Sequence, residues 1–468
     1  MKKTLLTLFA ALMATAALAQ TIRTDATRQS GAIKLTDAER ELVMQNSDFA
    51  FNLFRQIRTS ENLVISPLSI TYALGMLNNG ADGITREEIC RVLSGGRTTD
   101  YADVATMNEF CRKMMTESAL LDKETRVAIA NSIFFNGDRR DVSLKPAFEK
   151  TAATYYDAKP SVISFSDPTS VDVINKWATE HTDGMIRDLL KPQDMADPNL
   201  VSFLLNAICF KGAWACQFDE TLTELKPFDG KRTMAMMMSQ TNRFGYAEND
   251  LCQTVVLPYG NGAYEMTLLL PRKGKTIDDV LAVMDGKSWH AAEYKYPEVR
   301  LSIPRIETDT DQNLKEVMTA LGMKNAFLDD NGHGFLEFCY LGDDVEASDR
   351  CWISLMRQKA HLKLDEKGTE AAAVTVIAMA DKAVAMTDIV DFVADRPFLY
   401  LISERSTGSI FFIGQYMGEA TKGVTAVESR PRATARPDVY DLQGRRVSQP
   451  RDGLYIVDGV KTVINSRP

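Results

Sequence analysis

The stretch Asp365-Glu366-Lys367-Gly368-Thr369-Glu370-Ala371-Ala372-Ala373-Val374-Thr375-Val376 constrains the fold of this chain more than any other. A charged turn opens into a run of small residues and ends in alternating Thr and β-branched residues. At period two, Thr369, Ala371, Ala373, Thr375, Ile377 and Met379 share one side of an extended strand. Small side chains there let a strand slide between existing strands without overpacking. A proline would remove a ladder donor, and none occurs until Pro397. The same alanines also suit a helix. Local propensity therefore leaves two conformations open: an exposed segment able to enter a β-sheet, or an Ala-rich helix.

A chain of 468 residues is long enough for one large domain or two ordinary ones. Its 45% hydrophobic content supports a sizeable core without a disulfide framework. The formal net charge of −9 is mild, and no basic stripe with interleaved aromatics occurs. Nucleic acid is accordingly not an expected partner. The seven cysteines, Cys90, Cys111, Cys209, Cys216, Cys252, Cys339 and Cys351, contain no Cys-x-x-Cys pair. This excludes a zinc ribbon or dithiol motif, and several lie in apolar runs that suit a small core residue.

Residues 1–19 read as a secretory signal. Lys2 and Lys3 give the charged start, Leu5 to Leu18 is apolar apart from Thr7 and Thr15, and Ala17-Leu18-Ala19 is a small-residue cleavage site. The apolar run is short for a membrane span, and the residue directly after the cleavage site is Gln20, not the cysteine of a lipoprotein. Export to the periplasm, cell surface or extracellular space is expected, with no membrane span.

Residues 20–34 are polar and form a loose N-terminal segment. Thr36 with Glu39, and Thr85 with Glu88, have the spacing of helix capping boxes. The first opens a helix to about Arg58. Ser66 and Pro67 suit the start of the next, and Gly80 its end. Helices are also predicted over Val171–Thr182 and Asn313–Leu321, and buried strands over Val127–Phe135 and Val201–Phe210. Strands flank turns at Gly260-Asn261-Gly262 and near Gly408. Helices dominate early and strands late, which predicts an α+β fold. Residues 419–437, rich in Thr, Ala, Arg and Pro, form a linker. Residues 438–468 then make a small β module, which resembles the C-terminal tails of many exported Bacteroidetes proteins.

Enzymatic sites are not supported. His181, His290, His333 and His361 are the only histidines, and none stands in a catalytic motif. There is no Gly-x-Ser-x-Gly elbow, no His-Glu-x-x-His and no Walker loop. Asp343, Asp344 and Glu346 cluster but lack a calcium-loop pattern and read as a solvated turn. Neither a cofactor nor a metal is expected. Met234 and Met236 to Met238 read as core or edge-strand packing.

Several separated motifs carry a resemblance to a known family. They are Asn62-Leu63-Val64-Ile65-Ser66-Pro67-Leu68-Ser69-Ile70, Leu205-Asn206-Ala207-Ile208-Cys209-Phe210-Lys211-Gly212-Ala213-Trp214, the stretch from Asp365, and Phe392-Val393-Ala394-Asp395-Arg396-Pro397-Phe398. In this order they resemble the serpins, over residues 35–418. The resemblance implies helices packed around a large central mixed sheet, smaller sheets, and an exposed reactive loop. It implies a monomeric suicide inhibitor of serine proteases, with cysteine proteases as a further target class, that traps the acyl-enzyme when its cut loop inserts into the central sheet. Glu366, Gly368, Thr369, Ala371, Ala372 and Ala373 match the hinge. Arg305 and Trp214 join Glu366 at the opening of the sheet. Ser66, Ser69 and Asn206 match the mid-sheet polar cluster that gates strand separation, where Gln358 stands in place of the family's histidine. Counting along the loop from Glu366 puts the scissile bond at Lys382–Ala383, which suits a trypsin-like target. Met379, Ala380 and Met386 offer other registers. A non-inhibitory carrier or chaperone-like protein on the same fold is the alternative.

Overall fold

The computed structural model describes residues 31–96, 103–138, 143–231, 233–328, 335, 339–340, 351–369, 389–418, 439–440, 453–457 and 460–464. The chain divides into two compact units, Met1–Glu419 and Ala420–Pro468. Among the described residues the first unit starts with α1 (Asp37–Ile57), β1 (Leu63–Ile65), α2 (Pro67–Asn78), α3 (Gly83–Leu93) and α4 (Val104–Leu121). It continues through β2 (Arg126–Asn136), β3 (Ser143–Leu144), α5 (Pro146–Tyr156), β4 (Ser161–Ile163), α6 (Ser170–His181) and β5 (Ser202–Ala213). The next stretch is mostly strand: β6 (Glu224–Phe228), β7 (Thr233–Arg243), β8 (Gly245–Glu248), β9 (Cys252–Tyr259) and β10 (Tyr264–Pro271). After α7 (Ile277–Leu281) and α8 (Gly286–His290) come β11 (Glu298–Pro304), β12 (Ile306–Asn313) and α9 (Lys315–Leu321). The unit closes with β13 (Cys339–Tyr340), β14 (Leu355–Asp365), β15 (Gly368–Thr369), β16 (Ile389–Val393), β17 (Phe398–Glu404) and β18 (Ile410–Tyr416). Helices early and strands late make the α+β arrangement that the sequence predicts.

The helix starts follow from local chemistry. The Thr36 hydroxyl accepts from Glu39 N–H at 3.2 Å, and the Glu39 carboxylate accepts from Thr36 N–H at 2.7 Å. These reciprocal bonds satisfy two donors left open by the first turn of α1. Ser66 caps α2 through its hydroxyl, with Pro67 in the first turn. Every residue of α2 is buried, because this helix touches both β18 and the pair β2 and β5. An apolar stripe is not enough for a helix packed all round.

The second capping pattern is corrected by the structure. α3 begins at Gly83, ahead of Thr85, and its N-cap Asp82 makes no side-chain cap bond. Gly83 has φ +45°, so Asp82 and Gly83 supply the turn before Thr85 is reached. Thr85 is buried within the helix. The Glu88 carboxylate turns outward and accepts from Lys324 N–H (2.8 Å), Asn325 N–H (2.7 Å) and Asn325 Nδ2 (2.7 Å). It caps a distant 3-10 turn instead of its own helix.

Among the described residues, three large sheets and the two-stranded pair β13–β3 build the first unit. The central one has the order β12–β14–β15–β5–β2–β4, and β14 also pairs directly with β5. A second has the order β16–β11–β7–β6, and a third β1–β18–β17–β10–β9–β8. The Gly260-Asn261-Gly262 turn joins β9 to β10, with both glycines at positive φ. Met237 and Met238 are buried, whereas Met234, near the start of the interior strand β7, is exposed. Cys90, Cys111, Cys209, Cys252 and Cys351 are buried and unbridged, and Cys216 is exposed. The second unit contains an antiparallel sheet of β19 (Val439–Tyr440), β20 (Gly453–Val457) and β21 (Val460–Ile464).

Glu88→Ala is expected to destabilise the first unit by about 1–2 kcal/mol, because two backbone donors lose their shared acceptor. A urea midpoint equal to that of the parent would show that the carboxylate contributes nothing.

Candidate functional site

The site lies where β14 and β5 diverge. Over Leu355–His361 the strand β14 pairs in parallel with Phe203–Cys209 of β5. Above that level the two strands part, and Gly368–Thr369 fills the gap. This short β15 is antiparallel to both neighbours: Thr369 pairs with Leu364 and Gly212, and Gly368 with Asp365 and Ala213. Glu366 and Lys367 are thus the two turn residues of a tight hairpin between β14 and β15.

Gly368 is required twice over. Its φ of +142° lies in the region that favours glycine. A Cβ there would also sit 2.1 Å from the Gly212 carbonyl oxygen. Thr369 is fully buried, and its hydroxyl is 2.8 Å from the Tyr259 hydroxyl. The Tyr259 ring stacks on Trp214 with centroids 4.4 Å apart and planes 11° off parallel. Three successive carbonyls of the turn are satisfied from one side. Asp365 O accepts from the Trp214 indole (3.0 Å), Glu366 O from Phe218 N–H (2.9 Å), and Lys367 O from Trp214 N–H (2.8 Å).

The Glu366 side chain locks the turn from the other side. Arg305 Nε donates to both carboxylate oxygens at 2.9 and 3.0 Å, and Nη2 donates to Oε1 at 2.6 Å. Thr223 adds a hydroxyl bond of 2.6 Å. Glu366 is only 3% exposed while Arg305 is 43% exposed, so this is no ordinary surface pair. Burial pushes the Glu366 carboxyl up, but the Arg305 and Thr223 bonds outweigh it and hold the group below its ordinary value. The same contact raises Arg305.

Lower down, a polar stripe crosses three strands. Gln358 on β14 faces Asn206 on β5, and Asn206 faces Asn131 on β2. Gln358 Nε2 lies 2.6 Å from Asn206 Oδ1, and Asn206 Nδ2 donates to Asn131 Oδ1 at 2.6 Å. Ser69 Oγ donates to Asn206 Oδ1 at 2.7 Å and lies 3.1 Å from Gln358 Nε2. Gln358 also bonds both backbone groups of Ser66, accepting from N–H and donating to O, each at 3.1 Å. All five residues are buried. The amide supplies donor and acceptor at once, without a titrating group.

Residues 44–418 match the family profile described as Serpin (serine protease inhibitor). The chain belongs to the serpin family. Human neuroserpin is 28% identical over 394 residues, 80% of this chain and 91% of its own length. Serine protease inhibitor 2 of Anopheles gambiae is 30% identical over 368 residues, 76% of this chain and 87% of its own. Among solved structures, the native state of tengpin, a thermophilic serpin, matches with a TM-score of 0.72 at 26% identity, covering 83% of this chain and 96% of its own. Human thyroxine-binding globulin complexed with thyroxine matches at 0.70, also 26% identical, covering 81% and 98%.

In this serpin Glu366, Gly368, Thr369, Trp214 and Arg305 come together at the top of the seam, and Ser66, Ser69, Asn206 and Gln358 in its middle. Ala371, Ala372, Ala373, Lys382 and Ala383 lie outside the described residues, as do Asp343, Asp344 and Glu346. Sequence reasoning missed Thr223, Phe218, Tyr259 and Asn131. The first three come from segments with no local mark of the site. Asn131, a lone amide inside the apolar strand Arg126–Asn136, was a readable signal.

Two outcomes follow from these bonds. The folded-state value of Glu366 lies below its unfolded one, so its contribution to hinge docking is complete above about pH 4.5. It is lost as the pH falls through the folded value. Tryptophan fluorescence, read against a Trp214→Phe control, should therefore stay flat at neutral pH and change only below about pH 4.5. Arg305→Ala should show the undocked signal already at pH 7; an unchanged spectrum would separate docking from the ion pair. At the stripe, Gln358→Ala leaves Ser66 N–H without a buried partner, at a cost of about 2–3 kcal/mol. Its urea midpoint should fall accordingly, while a parent-like midpoint would mean that water replaces the amide without penalty.

Proposed function

We propose that this serpin is a suicide inhibitor of trypsin-like serine proteases, cut at Lys382–Ala383. The observation that carries the proposal is the hinge, Gly368–Thr369, seated between β14 and β5 at the head of their parallel seam. The chain beyond Thr369 continues with Ala371, Ala372 and Ala373, small enough to follow into the same gap. Insertion exchanges one parallel pairing for two antiparallel ones and satisfies the backbone of a whole added strand. That gain drives capture. A protease held as an acyl-enzyme at Lys382 is carried with the inserting segment, and its active site is distorted before water can release it.

Each residue has a part in this proposal. Lys382 offers its ammonium to the carboxylate in the specificity pocket of the target. Glu366, Arg305 and Trp214 hold the hinge turn, and Ser66, Ser69, Asn206 and Gln358 keep the seam closed until the loop is cut. Residues 1–19 direct export, residues 20–34 lead into a serpin domain over 35–418, and residues 419–437 link it to the tail 438–468. The protein acts as an exported monomer, outside the cytoplasm, without a cofactor.

Incubation with trypsin tests the proposal. A covalent complex stable in SDS should form, the released fragment should begin at Ala383, and the cut protein should melt at a higher temperature than the intact one. Lys382→Ala should abolish rapid inhibition of trypsin by more than tenfold, because the lysine–carboxylate pairing is lost outright. Its fold should be untouched. Cleavage without a complex, together with a lower melting temperature, would favour a carrier-like protein. A fragment beginning at Ala380 or Thr387 would move the reactive bond.

A further inference from the structure

Arg357 stands beside Gln358 on β14, so their side chains project from opposite faces of the central sheet. Its guanidinium spans the seam. Nη1 and Nη2 donate to the two oxygens of Asp194 at 2.7 and 3.2 Å, and Nη1 also reaches the Leu189 carbonyl at 3.1 Å. Nε lies 3.3 Å from Asp311. The Arg357 and Asp194 side chains are 15% and 17% exposed, so solvent screens the pair only in part.

The two acids belong to different halves of the sheet. Asp194 lies in the 3-10 turn Pro192–Met195, where its carboxylate also accepts from Lys191 N–H at 2.8 Å. The segment before it is stapled to α6. Asn175 bonds Leu190 N–H at 2.8 Å and Leu190 O at 2.9 Å. Ile186, Leu189 and Leu190 are buried in one cluster with Ile174 of α6 and with Phe203 and Leu205 of β5, to which β14 adds only its first residue, Leu355. Asp194 therefore stays with α6 and β5. Asp311 lies on β12, which is paired with β14 along Ile306–Asn313, and so travels with β14.

We infer that the Arg357–Asp194 bridge is a latch on the central sheet that sets how fast β14 parts from β5. Admitting a strand separates those strands by about one further spacing of 4.8 Å. The bidentate contact to Asp194 cannot survive that displacement, whereas the contact to Asp311 can. Arg357 then exchanges one acid for the other and is never left as an unpaired buried charge, which would be far more costly. The latch thus resists opening without blocking it. Lys359 makes a second link across the same span, from Nζ to the Asp188 carbonyl at 2.5 Å. The consequence for protease capture rests on the inhibitory reading above; the latch itself does not.

The test uses the full chain and a synthetic peptide with the sequence of residues 369–380, whose annealing into the sheet is followed by native electrophoresis. Asp194→Asn keeps the shape of the side chain and removes its charge. It should accept the peptide about tenfold faster than the parent, the ratio expected for a charge-assisted bidentate contact reduced to a neutral one. Arg357→Gln should behave alike, and Arg357→Lys should fall between. The loop-cleaved form, already open, should melt at the parent temperature in the Asp194→Asn variant. A merely structural bond would lower intact and cleaved forms equally, which would overturn the latch, as would an unchanged or slower annealing rate. Faster annealing in a protein that never traps trypsin would support the latch and defeat the inhibitory reading instead.

Discussion

The parallel pairing of β14 with β5 is the contact on which the rest of this structure turns. It joins strands that are far apart in sequence, and it is closed only below His361 and Cys209. Parallel ladders are slightly weaker per residue than antiparallel ones. The two residues of β15 already show the alternative, because each is antiparallel to both of its neighbours. The sheet therefore holds both arrangements at once, the weaker over most of its length and the stronger at its head. β15 lies at the point where the two strands part.

Polar groups bond across the seam on both faces of the sheet. On one face Gln358 bonds Asn206 and the start of α2, and on the other Arg357 bonds Asp194. An apolar seam of the same size would be held by area alone, which is not directional. Buried amides and ions add a geometric requirement, since each must find a new partner when the strands move. At the head of the seam the same logic operates around Glu366. Its carboxylate and three successive turn carbonyls are all bonded from neighbouring elements, so the hinge is seated by polar contacts as well as by the burial of Thr369.

Much of the fold was legible before any coordinate. The Thr36–Glu39 box, the Ser66–Pro67 start of α2 and the turns at Gly260–Gly262 and Gly408 all act locally, through bonds that span a few residues. The Thr85–Glu88 pattern has the same spacing and failed. Gly83 starts the helix early, and Glu88 finds better donors at Lys324 and Asn325. A capping pattern states what a side chain can bond, and a distant backbone donor can outbid the local one. The same reason hid Thr223, Tyr259, Phe218 and Asn131, whose contacts exist only once separate strands are side by side.

The sequence by itself determined the family, the α+β class and part of each polar cluster, Glu366, Thr369, Trp214 and Arg305 at the turn and Ser66, Ser69, Asn206 and Gln358 at the stripe, because motif order and local bonding chemistry are written along the chain. It left the conformation around Gly368 and Thr369 open between strand and helix, since alanine-rich segments satisfy both. Tertiary structure decided that question at its first two residues. Gly368 and Thr369 lie in the sheet because β14 and β5 present unpaired edges on either side, the Gly212 carbonyl leaves no room for a Cβ, and the Tyr259 hydroxyl meets that of Thr369. It also decided which acid each arginine serves. Charge in a sequence carries no partner, whereas the packing of α6 and its following turn against β5 carries Asp194 to Arg357 across the seam.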